Sequence, residues 1–254
     1  MTSRPDPTLF AALHGELAPY PAPPGGGADA YGLFLARSSA LGWLDTLWGM
    51  NDAGRDPAPG SRAAWFQVAP LGGAVPVQPF LACAGEVVAR LGTLRLDALR
   101  LLLPLPEGGG PAGGAVMGLL QEAGWFAGAA EDAAVPVRVT LDSGAAADGA
   151  ALPGAGPALL PWLRGFKQTV FDCASVTAGE PDEAGAAEAT YGPAPVDALW
   201  GGPARHRIVV TGGLAEWSLD ALGWLAAFLA EGCAAQGVSG PLLLTATASG
   251  APRT

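Results

Sequence analysis

What most constrains this chain is the order in which short apolar segments of two different periods follow one another. From Pro79 to Leu91, the residues Phe80, Ala84, Val87, Val88 and Leu91 recur at helical spacing, Glu86 and Arg90 form an i,i+4 pair, and Gly92 supplies the stop. Val137, Val139 and Leu141 alternate instead with Arg138 and Thr140, the period of a strand with one polar face. Leu219 to Gln236 is helical again, strongly apolar, and ended by Gly237. Further strands are expected at Ala98 to Leu103, His206 to Thr211 and Leu242 to Thr247. A chain that keeps returning from strand to helix must cover a sheet with helices, so the expected class is α/β (α+β), with mixed β-sheet layers and packed helices.

The remaining segments are read the same way. Leu9, Phe10, Leu13 and Leu17 fit a short N-terminal helix capped by Asp6, detached from the body by the Pro/Gly linker Pro19 to Gly27. Tyr31 to Ala36 and Ala63 to Ala69 read as strands, with Leu41 to Trp48 helical between them and Asn51 to Ser61 a polar loop. Ala115 to Ala130 reads as a helix, Asp142 to Gly156 as a loop, and Pro161 to Ala174 as a helix with Trp162, Phe166 and Val170 on one side. The acidic stretch Ala178 to Ala189 reads as a loop. Two segments, Ala98 to Leu141 and His206 to Thr247, look alike, which suggests pseudo-duplicated halves. The last part, with strands near Val137, Val209 and Leu243 and helices near Phe166 and Trp224, would complete a ferredoxin-like unit if an extra strand lay near Val196 to Trp200, the alternative being a single mixed sheet with helices on both sides. The expected organisation is 1–27 as helix and linker, 28–134 as a first α/β half and 135–254 as a second, or one continuous domain.

Composition narrows the class of protein. With 254 residues the chain is long enough to bury a core without disulfide or metal. Half of it is hydrophobic but no apolar run reaches the ~18 residues of a membrane span, and the N-terminus lacks the pattern of a signal peptide, so a cytoplasmic location is expected. Cys83, Cys173 and Cys233 are unequally spaced in apolar contexts, as buried reduced thiols are. A net charge of −10 opposes binding to a phosphate backbone, so nucleic acid is not an expected partner. Twelve arginines against the single Lys167, in an Ala-, Gly- and Pro-rich chain, match the usage of a GC-rich bacterial genome.

Motifs are scarce. Gly108 to Gly113 satisfies GxGxxG between a strand and a helix, and as local sequence resembles the FAD-binding fingerprint, in which glycines admit a pyrophosphate to a helix N-terminus. Roughly one residue in seven is glycine, so about one such match arises by chance in a chain of this length. Pro104, Pro106 and Glu107 also intrude before the first glycine, and Asp142 follows Gly113 by 29 residues where the fingerprint has its acid about 20 residues on. Gly108 to Gly114 therefore reads as a βα connection, and no cofactor is expected. His14 and His206 are the only histidines, and no CxxC, GxSxG, SxxK or HExxH occurs, so neither a zinc site nor a nucleophilic triad is expected.

The expected function is that of a non-enzymatic binding or accessory protein. Arg205, His206 and Arg207 are the one place of locally opposite sign, and Trp200 stands before them across Gly201, Gly202 and Pro203. These four residues form the candidate binding site, for a protein or a small acidic or planar ligand. Two alternatives stand beside this: an enzyme whose site is assembled by the fold from Glu122, Asp142, Arg205 and His206, and a structural subunit presenting some of the eight tryptophans to its neighbours.

Overall fold

The structure, a computed structural model, describes residues 7–21, 29–56, 62–72, 75–105, 113–128, 134–143, 152–179 and 206–249. Eight strands and five α-helices alternate along them: β1 (Leu9–Pro19), α1 (Ala30–Ala40), β2 (Trp48–Gly54), β3 (Arg62–Pro70), α2 (Val77–Leu91), β4 (Gly92–Leu103), α3 (Gly113–Glu122), β5 (Val135–Asp142), α4 (Leu152–Arg164), β6 (Phe171–Ala178), β7 (Arg207–Leu214), α5 (Leu219–Ala235) and β8 (Leu242–Ala248). A 3₁₀ helix, Ala123–Gly128, extends α3. The strands form one antiparallel sheet in the order β2-β3-β1-β4-β8-β5-β7-β6.

That order is two βαββαβ units joined edge to edge. β1 to β4 give the spatial order β4-β1-β3-β2 and β5 to β8 give β8-β5-β7-β6, each the ferredoxin-like arrangement. β4 and β8 pair from Ala98 with Thr247 to Leu103 with Leu242. The α+β class and the pseudo-duplicated halves thus stand, but the repeat is framed differently from the sequence expectation. The segment Ala98 to Leu141 spans β4, α3 and β5 and links the halves, whereas His206 to Thr247 lies within the second. The strand that completes the second unit is β6, and 196–200 lies outside the described residues.

Several segments differ from their expected type. Leu9 to Pro19 is a central strand, paired with β3 on one side and β4 on the other. Residues 9–14 are buried on both sheet faces, which erases the alternation that marks a half-exposed strand. Ala30 to Ala40 is a helix capped by Asp29, whose carboxylate accepts from the Gly32 N–H, and its buried residues Ala30, Phe34 and Ser38 repeat every fourth position. Phe171 to Ala178 is strand, because α4 starts earlier, at Leu152, and ends at Arg164. α4 forms despite Pro157 and Pro161 because Leu152, Ala155, Leu159 and Leu163 line one face against the core. Leu41 to Leu47 forms turns rather than a helix, with Asp45 at φ 62°, and Asn51 to Gly54 belongs to β2. Glu86 reaches across to Arg37 of α1 rather than along its own helix to Arg90.

The helices share one sheet face with the main core. Phe34, Trp48, Phe66 and Phe80 pack around one another in the first half, and Trp162, Phe166, Trp224 and Phe228 in the second. α2 and α5 pack together across the seam, and a Cβ on Gly223 would lie 3.2 Å from the Gln78 Cα, so glycine sets the separation of the two helices. No helix among the described residues is long and apolar enough to cross a membrane.

Trp224, fully buried in α5, donates its indole N–H to the Leu119 carbonyl at 2.7 Å and so ties α3 to the helix layer. Trp224→Phe keeps the ring packing but leaves that carbonyl without its donor, an expected loss of about 1–2 kcal/mol. Hydrogen exchange should show the opening concentrated in 113–122; uniform acceleration over α5 would refute this tie.

Candidate ligand-binding face

The opposite sheet face carries a different chemistry. Leu9, Ala11 and Leu13 of β1 point to the main core, which leaves Phe10, Ala12 and His14 for the other side. The same alternation sends Leu99, Leu101 and Leu103 of β4 to the core and Ala98, Arg100 and Leu102 away from it. In β5, Val137, Val139 and Leu141 face the core, so Arg138, Thr140 and Asp142 do not.

The strand registers arrange these outward residues into three rows across the sheet, read from β3 to β7. One runs Arg62, His14, Ala98, Thr247, Arg138, Thr211, and continues to Ser175 of β6. The next runs Trp65, Ala12, Arg100, Thr245, Thr140, Val209. The third runs Gln67, Phe10, Leu102, Leu243, Asp142, Arg207. Between β3 and β7 these rows hold four arginines and one carboxylate, in a chain whose net charge is −10.

One end of the face is apolar. Phe10, Ala12, Leu102 and Leu243 form a second cluster, separate from the main core, with Trp65 stacked on Phe10 at 6.2 Å between centroids. The Arg62 guanidinium lies over Trp65, 5.7 Å from the ring centre, and pairs with Asp56 at 2.7 Å. The other end is rich in hydroxyls. Arg138, Thr140, Thr211, Thr245, Thr247 and Ser175 are all half-buried, and the Ser175 and Thr211 hydroxyls are 2.7 Å apart.

His206 and Arg207 stand at the rim of this face. The His206 carbonyl accepts from the Ser143 N–H at 3.1 Å, and Arg207 opens β7. Arg207 Nε lies 3.3 Å from Asp142 Oδ2, with the two side chains only 11% and 2% exposed. A Cβ on Gly179 would sit 2.5 Å from Arg207 Cγ, so glycine there lets the arginine stem lie flat. Arg207 is therefore a paired structural cation. Trp200 and Arg205, and residues 108–112 of the glycine stretch, lie outside the described residues.

Glu122 is exposed on α3, on the helix side, whereas Asp142 is on the strand face, so the structure does not bring these two together. Ser143, beside Asp142, has a buried hydroxyl with no hydrogen-bond partner among the described residues. The arginine rows themselves escaped the sequence reading, although the strand period at Val137 to Leu141 already placed Arg138 on a polar face.

Burial shifts the histidine of this face and the three thiols. Burial, with Arg100 and Arg62 close by, lowers His14 to about 4. Burial raises Cys83 and Cys173 to about 11 and Cys233 to about 12, which keeps all three as thiols.

Two outcomes follow. Arg207→Ala should cost about 3 kcal/mol, since it leaves Asp142 buried beside a vanished partner, and a melting temperature within a degree or two of the parent would refute the pairing. His14 is protonated in the unfolded chain below 6.5 but in the fold only below about 4. Stability should therefore fall as pH drops from 6.5 towards 4, by up to about 3 kcal/mol, through proton uptake by the unfolded state. His14→Leu should flatten that part of the profile in urea titrations taken at intervals of half a pH unit; an unchanged slope would exclude His14 as its source.

No family model, curated protein or solved structure gives a significant match to this chain.

Proposed function

We propose that this is a non-enzymatic binding or accessory protein of the cytoplasm that takes an acidic ligand on the strand face opposite its helices. The observation that carries the reading is the set of three cross-strand rows, which hold Arg62, Arg100, Arg138 and Arg207, two of them paired with Asp56 and Asp142, in a chain whose net charge is −10. Guanidinium forks and threonine hydroxyls are donors that suit carboxylate and phosphate oxygens. The half-buried setting strengthens each such contact relative to open water. His206, Arg207 and the Trp200 and Arg205 region would border this face rather than form its centre.

Binding is favoured over catalysis by the same groups. A histidine that titrates near 4 is a weak base at pH 7, and thiols raised to 11 or 12 are poor nucleophiles. The alternative of a structural subunit draws on one observation, the exposure of Trp125 (82%) and Met117 (56%) on α3 and the turn after it. A defined oligomer in solution that Trp125→Ser dissolves would favour that reading.

The test is thermal stabilisation by small organic ions at constant ionic strength. Organic anions should raise the melting temperature saturably, by several degrees at about a hundredfold their dissociation constant, and tetramethylammonium should not. Arg138→Gln should remove most of the anion effect. Equal stabilisation of parent and variant would rule this face out as the site.

A further inference from the structure

We infer that Arg164 and Gln168 form a clip that closes the outer edge of β6 to strand addition by a second copy of this chain, so that the sheet ends within one molecule. Among the described residues no strand lies beyond β6, which pairs with β7 alone. A strand in that position turns every second N–H and C=O away from its neighbour, and such a row of open groups is a template for another chain. The Gly179 N–H donates to the Arg207 carbonyl at 3.0 Å and the Val170 carbonyl accepts from the Ala215 N–H at 2.8 Å, so both ends of β6 face β7. Counting back from Gly179, Ala178 and Val176 turn their backbone groups outward; counting on from Val170, so does Phe171.

Most of that edge is already held. The Gln168 side-chain carbonyl accepts from the Val170 and Phe171 N–H groups at 2.8 and 2.9 Å, and its amide donates to the Phe171 carbonyl. Arg164, the last residue of α4, donates through Nε to the Cys173 carbonyl at 2.9 Å and through Nη2 to the Ala174 carbonyl at 2.8 Å. These two carbonyls are consecutive because the register shifts between Cys173 and Ser175, and an incoming strand with a regular alternating ladder cannot match them. The clip thus covers 171–174 and leaves 176–178, a stretch shorter than the usual strand.

The other end of the sheet is closed by different means, so closure recurs where the particular contacts do not. On β2 the Trp48 carbonyl accepts from the Asp45 N–H at 2.9 Å, and the Ala53 N–H donates to the carboxylate of Asp52 at 2.8 Å. A register shift between Met50 and Asp52 breaks the ladder there too. The occupant kept off β6 is a second copy because antiparallel edge pairing is how this chain already joins β4 to β8. A twofold axis beside β6 would set the strand antiparallel to itself with no other sequence needed.

Sedimentation equilibrium on the full chain tests the clip. Arg164→Met with Gln168→Leu removes the polar ends and keeps the apolar stems. Over about a hundredfold rise in concentration, the weight-average mass of this variant should at least double relative to the parent at the same concentrations. Adding Ala178→Pro, which removes one outward N–H and no bond to β7, should return it to the parent's value. Hydrogen exchange gives a readout that a purely structural role would not move. With rising concentration the Phe171, Val176 and Ala178 amides of the double variant should exchange several-fold more slowly, whereas a loosened strand exchanges faster at every concentration. Arg164→Lys, which keeps a donor for one carbonyl, should associate less than Arg164→Met. Circular dichroism verifies each fold, and Gln168→Leu alone is read by the same criteria if the pair does not fold. A folded variant whose mass tracks the parent's would overturn the clip. So would association that Ala178→Pro leaves unchanged, or that Trp125→Ser abolishes, since it would then run through another surface.

Discussion

The pairing of β4 with β8 is the contact on which everything else in this protein depends. Each βαββαβ unit ends at one side in its last strand, and alone each would present an open ladder of backbone donors and acceptors there. Joining the two turns both edges into sheet interior, and Leu99, Leu101, Leu103, Leu242, Leu244 and Ala246 then lie side by side beneath the helix layer. The seam also brings α2 against α5 across Gly223, so sheet and helices are continuous at the same place. The two strands left at the ends are β2 and β6. On β6 a register shift falls between Cys173 and Ser175, and Arg164 donates to the Cys173 and Ala174 carbonyls at 2.9 and 2.8 Å, which occupies part of that edge.

A sheet with its helices gathered on one side must do something else with the other. Here the apolar part of the second face is confined to Phe10, Ala12, Leu102, Leu243 and Trp65, over β1, β3, β4 and the near side of β8. Beyond it the outward positions of β5, β7 and β8 are threonine and arginine, with Val209 and Asp142 among them. Threonine is a good strand former on a half-wet surface, so its presence needs no ligand to explain it. Arginine is different: four of the chain's twelve fall in these rows, where cross-strand neighbours add their fields instead of diluting them.

How much of this could be read from the sequence depends on how each segment is buried. Val137 to Leu141, Val77 to Leu91 and Leu219 to Ala235 each have one wet and one dry side, or a clean glycine stop, and were legible. β1 was not, because a strand with neighbours on both sides and burial on both faces presents Leu9, Phe10, Leu13 and Leu17 without alternation, and those spacings also satisfy a helix. α4 was hidden by Pro153, Gly154, Gly156, Pro157 and Pro161, whose poor propensity is overridden only once Leu159 and Leu163 have β6, β7 and α5 to pack on. The site was harder still. Arg62, Arg100, Arg138 and Arg207 are scattered along the chain and become neighbours only through registers that no local pattern encodes.

The Arg205, His206 and Arg207 triplet shows why charge in a linear sequence is a poor guide to a binding surface. Read as a string, Arg207 is a free cation beside another; in the fold it stands opposite Asp142, its cross-strand partner, and both are nearly buried. Taking two charges out of water costs several kcal/mol each, so the pair must be maintained by mutual attraction and has little left to offer a ligand. Arg138, two rows over on the neighbouring strand, carries no cluster signal in the sequence, where its neighbours are apolar and hydroxyl residues. Its lateral neighbours are Thr247, whose hydroxyl donates to the Arg138 carbonyl at 3.4 Å, and Thr211, whose hydroxyl lies 2.7 Å from that of Ser175. Arg207, read in the sequence as part of a cationic cluster, is in the fold committed to Asp142 and to the stability of the strand pair.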